Sequence, residues 1–414
     1  MYPTHCVSRS TSVSCQKLRI LCRHLRMSST SAKADAEVLL EVKNKVGVIT
    51  LNRPKALNAL NLNMIRQIYP VLKKWDADPA VSLVLIKGTG DRAFCAGGDV
   101  REVAEAGKRG GDLSKLFFKE EYMLNYAIGS LQTPYVALIN GITMGGGVGL
   151  SVHGRFRVAT ESTLFAMPET AIGLFPDVGG GYVLPRMKGK LGIYLALTGH
   201  RLKGYDVKHA GVATHFVTSE KLTELESSLL NLVDPHANSI QEVLNDYDKK
   251  CSEGHSKEFA LEKFTNQINS CFDQSSMEGI IKALEKDDTE WALKQIEVTL
   301  IHIVNDLINA RGVYLILGVQ IDGRRLKERG SPTSLKITLR QLQEGAKLNL
   351  ADCLKMEYRL TQRCMEDNDF YEGIRAVLID KDNSPKWNPG TLNAVTQEKV
   401  EHYFETLGDR ELVL

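Results

Sequence analysis

From residue 38 onward, the apolar positions of the chain switch between two periods. In "VLLEVKNKVGVITLNRP" they form two extended stretches around "KNKVG", where Asn44 and Gly47 mark a turn and Pro54 closes the second stretch. In "NLNMIRQIYPVLKKWDADP" they recur every three to four residues, which predicts an amphipathic helix capped by Asn61 and ended near Pro79. "VSLVLIKGTG" is apolar without alternation, the pattern of a buried strand. A helix over 114–131, a strand in "YVALIN" and two more in "RFRVAT" and "TLFAMP" follow. Strands that alternate with helices and end in Gly-rich loops imply an α/β core with its working loops at the strand ends. After about residue 185 the strand pattern thins, and helical periodicity continues to the end, as in "MEYRLTQRCMEDNDFYEGIRAVLI". The organisation expected is an α/β core over 35–235 and a helical C-terminal region over 236–414.

Composition narrows the class. With 414 residues, 43% of them hydrophobic and 25% charged, the chain can bury one large core or two smaller ones. Its most apolar run, Val313 to Ile321, falls well short of the roughly 18 residues of a membrane span, so no membrane partner is expected. Residues 1–34 are different in kind. They carry Arg9, Lys17, Arg19, Arg23, Arg26 and Lys33, many Ser and Thr, and no acid. That composition reads as a mitochondrial transit peptide rather than a secretory signal; a disordered tail, or initiation at Met27, is the alternative. Without those six cations the body has 46 Lys and Arg against 50 Asp and Glu, a net charge of −4, which argues against nucleic acid as a partner. The eight cysteines include no CxxC pair, so neither a metal site nor a disulfide framework is indicated.

The chemistry concentrates in Pro168 to Gly181, "PETAIGLFPDVGGG", where Glu169 and Asp177 stand in an otherwise apolar run. On an unbroken helix, residues eight apart lie about 12 Å apart along the axis, too far to share one reacting bond. Pro176 and the glycines Gly179 to Gly181 disfavour such a helix and let the chain double back. Two Gly-rich loops precede this run, "AFCAGGD" (Ala93–Asp99) and "NGITMGGGVGL" (Asn140–Leu150). Neither is GxGxxG, since Leu150 replaces the last glycine, and neither has the GK[ST] of a P-loop. "GLSVHG" around Ser151 lacks the closing glycine of a nucleophile elbow, where His153 stands. Two backbone N–H donors facing each other suit an oxyanion hole for a thioester carbonyl.

"FCAGGD", "NGITMGGGVGL" and "MPETAIGLFPDVGGGYVLPR", in this order and spacing, resemble the crotonase (enoyl-CoA hydratase/isomerase) superfamily over nearly all of the chain after the leader. "SPTSLKITLRQL" and "AVLIDKDNSPKWNP" resemble the branch that hydrolyses a 3-hydroxyacyl-CoA thioester in valine breakdown. The resemblance implies a spiral of ββα units followed by a helical trimerisation region, which leaves a homo-oligomer open. It implies an oxyanion hole from the N–H groups of Ala96 and Gly146. It makes Glu169 the nucleophile or general base and Asp177 its proton-handling partner. Glu121, Gly146, Glu169 and Asp177 then bind the substrate, with no metal and no cofactor beyond the CoA of the substrate. Where hydratases carry a further catalytic Glu, this chain has Gly149, so it lacks the paired acid and base for adding water across a double bond.

Plainer readings stand beside these. Glu169 and Asp177 each suit a turn cap, and Glu121 suits a polar helix face. Cys95 reads as packing and His153 as structural, while Arg53 and Lys55 suit either CoA phosphates or solvated loop charge. The competing functions are a hydratase or isomerase and a non-catalytic CoA- or RNA-binding homologue. Residues 299–330 depart from the hydrolase branch, which joins the flanking segments with only a few residues, and no function attaches to them.

Overall fold

The structure, a computed structural model, describes residues 36–255, 258–299 and 330–414. The expected transit segment and nearly all of 299–330 lie outside the described residues.

Strands β1 (Val38–Lys43) and β2 (Val46–Leu51) form an antiparallel hairpin with Lys43 opposite Val46. The turn is therefore Asn44-Lys45, both at positive φ (47° and 67°), as a tight two-residue hairpin requires. Gly47 does not mark the turn. It sits within β2 opposite Val42, where a Cβ would lie 2.4 Å from the ring of Trp75. Trp75 belongs to α1 (Leu62–Ala77), which starts where the Asn61 side chain accepts from the Met64 N–H at 2.8 Å.

Strands β3 (Leu83–Gly88), β4 (Ala93–Cys95), β5 (Tyr135–Ile139), β6 (Ile142–Met144), β7 (Phe156–Ala159), β8 (Leu164–Ala166), β9 (Leu202–Lys203) and β10 (His215–Phe216) complete two sheets. The larger runs β1-β2-β3-β5-β7-β10 and is parallel except for β1; the smaller runs β4-β6-β8-β9. Each successive pair, β3 with β4, β5 with β6, and β7 with β8, gives one strand to each sheet. This is the ββα spiral. In its first two turns the second strand is only three residues long and lies within or against a Gly-rich loop, too short for a periodic signal.

Both faces of the large sheet are covered, which explains the apolar runs. Ile49, Leu51, Val84, Ile86, Ala137 and Ile139 join the main core with α1 and α2 (Leu113–Gly129). Val46, Val48, Leu83, Leu85, Val136 and Leu138 lie under helices Leu222–Leu230 and Ala237–His255.

Beyond β10 the described residues form helices and the loops that join them. Helices α3 (Pro332–Gly345) and α4 (Leu350–Glu366) return to the α/β core, and Leu335, Leu342, Leu354 and Leu360 share its buried cluster. Ser331 caps α3 through the Ser334 N–H and donates its own N–H to Thr170 O at 3.0 Å. The helical region thus closes directly over the segment that follows β8. Among the described residues no helix is long and apolar enough to cross a membrane.

Candidate active site

The small sheet aims its loops at one cavity. Among the described residues it measures about 1640 Å³, and Ala96, Glu121, Gly146, Glu169 and Asp177 all line it. That exceeds the ~300–1,000 Å³ usual for a small ligand and suits a long carrier such as CoA.

Glu169 opens a 3₁₀ turn, Glu169–Ile172, directly after β8. The turn ends at Gly173 in the left-handed region (φ 69°). The chain then bends at Pro176 and turns again at Val178–Gly179, directly after Asp177. The two acids of the opening motif are both buried, 5% and 4% exposed, and Glu169 is close enough to Asp177 to feel its charge. Glu121 joins them from α2 at 2% exposure. Three buried carboxyls at one site resist ionisation. Burial first, and then the charge of Asp177, push Glu169 well above the usual carboxylate range. Glu121 is raised by burial and then by Asp177 and Glu169. Asp177 is pushed up to about 7 by burial, although the Tyr122 hydroxyl, donating to its Oδ2 at 2.8 Å, pulls the other way. One oxygen of Glu121 and one of Glu169 have no hydrogen-bond partner among the described residues. Both residues line the cavity.

The Gly-rich loops meet these acids closely. Gly146 is the first residue of a single helical turn, Gly146–Gly149, where backbone N–H groups lack intrahelical acceptors. A Cβ on Gly146 would lie 2.7 Å from Glu121 Oε1 and 3.3 Å from Gly98 N, so a side chain here would displace the Glu121 carboxyl. The Ala96 N–H, expected as the other oxyanion donor, already donates to Leu57 O at 3.1 Å.

The other candidates are placed as follows. Cys95 is buried, gives its thiol to Gly97 O at 3.5 Å and is pushed up to about 12 by burial, so it is no nucleophile. Ser151 spends its hydroxyl on Gly147 O and Val148 O. His153 is held down to about 4 by burial and donates Nε2–H to Val178 O at 2.7 Å. Arg53 is paired with Glu37 and Asp99, whereas Arg201 and Lys294, which the sequence did not suggest, line the cavity. Among the described residues no group of three or more His, Cys, Asp or Glu is arranged to hold a metal ion.

A family model described as enoyl-CoA hydratase/isomerase matches residues 46–301 and 323–404. The chain belongs to the enoyl-CoA hydratase/isomerase family. The unmatched stretch between those two parts lies within the 299–330 segment. The chain is 55% identical over 403 residues to the "3-hydroxyisobutyryl-CoA hydrolase, mitochondrial" of Danio rerio, covering 97% of this chain and 98% of that one. It is also 55% identical over 397 residues to the human protein of the same name, covering 96% and 95%. A solved carnitinyl-CoA dehydratase from Mycobacterium thermoresistibile superposes with a TM-score of 0.77 at 36% identity, over 92% of this chain and 99% of that one.

Within the enoyl-CoA hydratase/isomerase family the surroundings of Gly149 are informative. A Cβ there would lie 2.6 Å from Asn125 Nδ2 and 2.7 Å from Val178 Cβ. A side chain at Gly149 would have to displace these neighbours. Asn125 is fully buried, and neither of its amide atoms has a partner among the described residues. Sequence reading missed Asn125 and Tyr122, although both follow Glu121 on α2 and Tyr122 adjoins it.

Proposed function

We propose that this protein hydrolyses 3-hydroxyisobutyryl-CoA, and 3-hydroxypropionyl-CoA as a smaller analogue, to the free hydroxy acid and CoA in the mitochondrial matrix. The observation that carries the reading is the convergence of Glu169 and Asp177 on one cavity wall while Gly149 is closed over by Asn125 and Val178. An acid pair is kept, and the position of the further hydratase acid is lost. The names of the relatives that match nearly the whole chain supply the substrate and the compartment.

In this reading the thioester oxygen takes the Gly146 N–H and, in place of Leu57 O, the Ala96 N–H. Glu169 either attacks the thioester carbon, forming an anhydride that water then opens, or takes a proton from the attacking water. In both cases the C–S bond breaks, a thiolate leaves and the proton released from water returns to it. Asp177 handles that proton and holds the 3-hydroxyl. A thiol with a pKa of about 8.5 leaves without strong acid help, so two carboxylates and two amides supply the chemistry and no cofactor is called for.

Release of free thiol across a panel of acyl-CoA thioesters tests the reading. The 3-hydroxyisobutyryl thioester is expected to turn over fastest. Hydration of crotonyl-CoA without thiol release would overturn it in favour of a hydratase.

A further inference from the structure

Asp177 begins a strained turn. Gly180 N–H donates to Asp177 O at 2.7 Å, and both central residues have positive φ, Val178 at 51° and Gly179 at 86°. Gly179 adopts that conformation freely, but a β-branched residue at positive φ is an outlier, and such strain persists only where the surroundings impose it.

The surroundings that impose it come from the C-terminal helices. Glu357 on α4 is fully buried, and its two oxygens accept from Gly179 N at 2.7 Å and Gly181 N at 2.8 Å. Gln341 on α3 is equally buried and donates Nε2–H to Pro176 O at 2.8 Å and to Glu357 Oε1 at 3.0 Å. Those bonds grip the backbone on both sides of Asp177. His153 holds the remaining carbonyl, that of Val178. An acid buried without a cation partner is costly, and three N–H donors aimed at one carboxyl are an arrangement that packing alone does not need.

We propose that Glu357 and Gln341 are positioning residues, which hold the Asp177 turn in its strained form and so set the aim of Asp177. The inference rests on the reading of Asp177 given above. Around Asp177 the titratable groups are Tyr122 and Glu121 from α2, Glu169 from the segment after β8, and Glu357 and Cys364 from α4, with His153 against the turn. Glu357 in turn faces Tyr122 and Cys353. Each of these neighbours is an acid or a neutral group, and burial pushes Glu357 itself up to about 8, so it is uncharged where Asp177 titrates.

The test compares Glu357→Gln with Gln341→Met in thiol release from 3-hydroxyisobutyryl-CoA, per folded molecule, from pH 5 to 9. Glu357→Gln puts an NH2 donor where a carboxyl oxygen now accepts a backbone N–H. It is expected to lower kcat about 10-fold or more at nearly unchanged KM. Gln341→Met removes the bonds to Pro176 O and Glu357 but leaves those of Glu357 to Gly179 and Gly181, so kcat falls about 3- to 10-fold, again at nearly unchanged KM. If Glu357→Gln does not fold, the Gln341→Met result decides alone. Wild-type kcat in the folded variants, or a loss confined to KM, overturns the proposal. An inactive wild-type, or an Asp177→Asn variant of unchanged rate, overturns instead the reading of the site on which it rests.

Discussion

Tyr122 and Asp177 form a buried pair: the phenol on α2 donates to Oδ2 at 2.8 Å and stabilises the charged carboxylate. Among the described residues it is the one side-chain bond to this acid, and it opposes the effect of burial, which raises Asp177 to about 7. Tyr122→Phe removes it, so the pKa of Asp177 rises further. If the reaction needs the ionised form, the acid limb of kcat/KM moves to higher pH and the rate at pH 7 falls about 3- to 10-fold. A pH–rate profile of the variant checks this, and a limb that stays in place removes Tyr122 from the mechanism.

Glu169 combines an unpartnered oxygen with deep burial and a carboxyl raised well above its ordinary value. Glu169→Gln keeps the shape and removes both the base and the nucleophile. The expected outcome is a loss in kcat of at least about 10²-fold with CoA binding retained, measured by turnover and by product inhibition with free CoA. Turnover near wild-type would assign the chemistry elsewhere.

At Gly146 the margin is steric. A Cβ meets Glu121 Oε1 at 2.7 Å, and a larger side chain would also invade the space in front of the N–H. Gly146→Val is expected to cost on the order of 10²-fold or more in rate, comparable to the loss of an oxyanion donor. A fully active Gly146→Val enzyme would show that the loop does not face the reacting carbonyl.

Much of this site was legible because its parts are local. The Gly-rich loops, Glu169 and Asp177 each lie in a short motif, and the continuous apolar runs of β2, β3 and β5 record a sheet covered on both faces. What escaped was tertiary. Gly47 reads as a turn residue, yet the space that Trp75 needs is what demands it. Between the acids the chain bends at Pro176 and turns at Val178–Gly179, but it also needs Gly173 in the left-handed region, where a Cβ would strike Asp369 O from the C-terminal region. Glu357 did leave a trace. It stands four residues after Cys353 and three and four before Leu360 and Thr361, an acid in the buried stripe of α4. Its partners Gly179 and Gly181, more than 170 residues away, left none.

Asp177→Asn separates function from stability. The ordinary pKa of this carboxyl is 3.8 and the folded value is about 7, so the fold prefers the protonated form. That preference stabilises at acid pH and is lost as pH rises through about 7, where an ionised Asp177 costs the fold about 4 kcal/mol relative to the unfolded chain. Asparagine has no proton to lose and no charge to set against Glu121 and Glu169. The variant is therefore expected to be more stable than wild-type at pH 8, on the order of 1–4 kcal/mol, with the gap closing as pH falls toward 4. Urea unfolding at pH 8 and pH 5 measures it. The kinetics should move the opposite way. If Asp177 transfers a proton, Asp177→Asn lowers the rate on every thioester. If it recognises the hydroxyl, kcat/KM falls more for 3-hydroxyisobutyryl-CoA than for isobutyryl-CoA, a pair that differs only in that group. A variant with unchanged kinetics on both thioesters would leave Asp177 as a buried turn residue, and the two-carboxylate mechanism would fall with it.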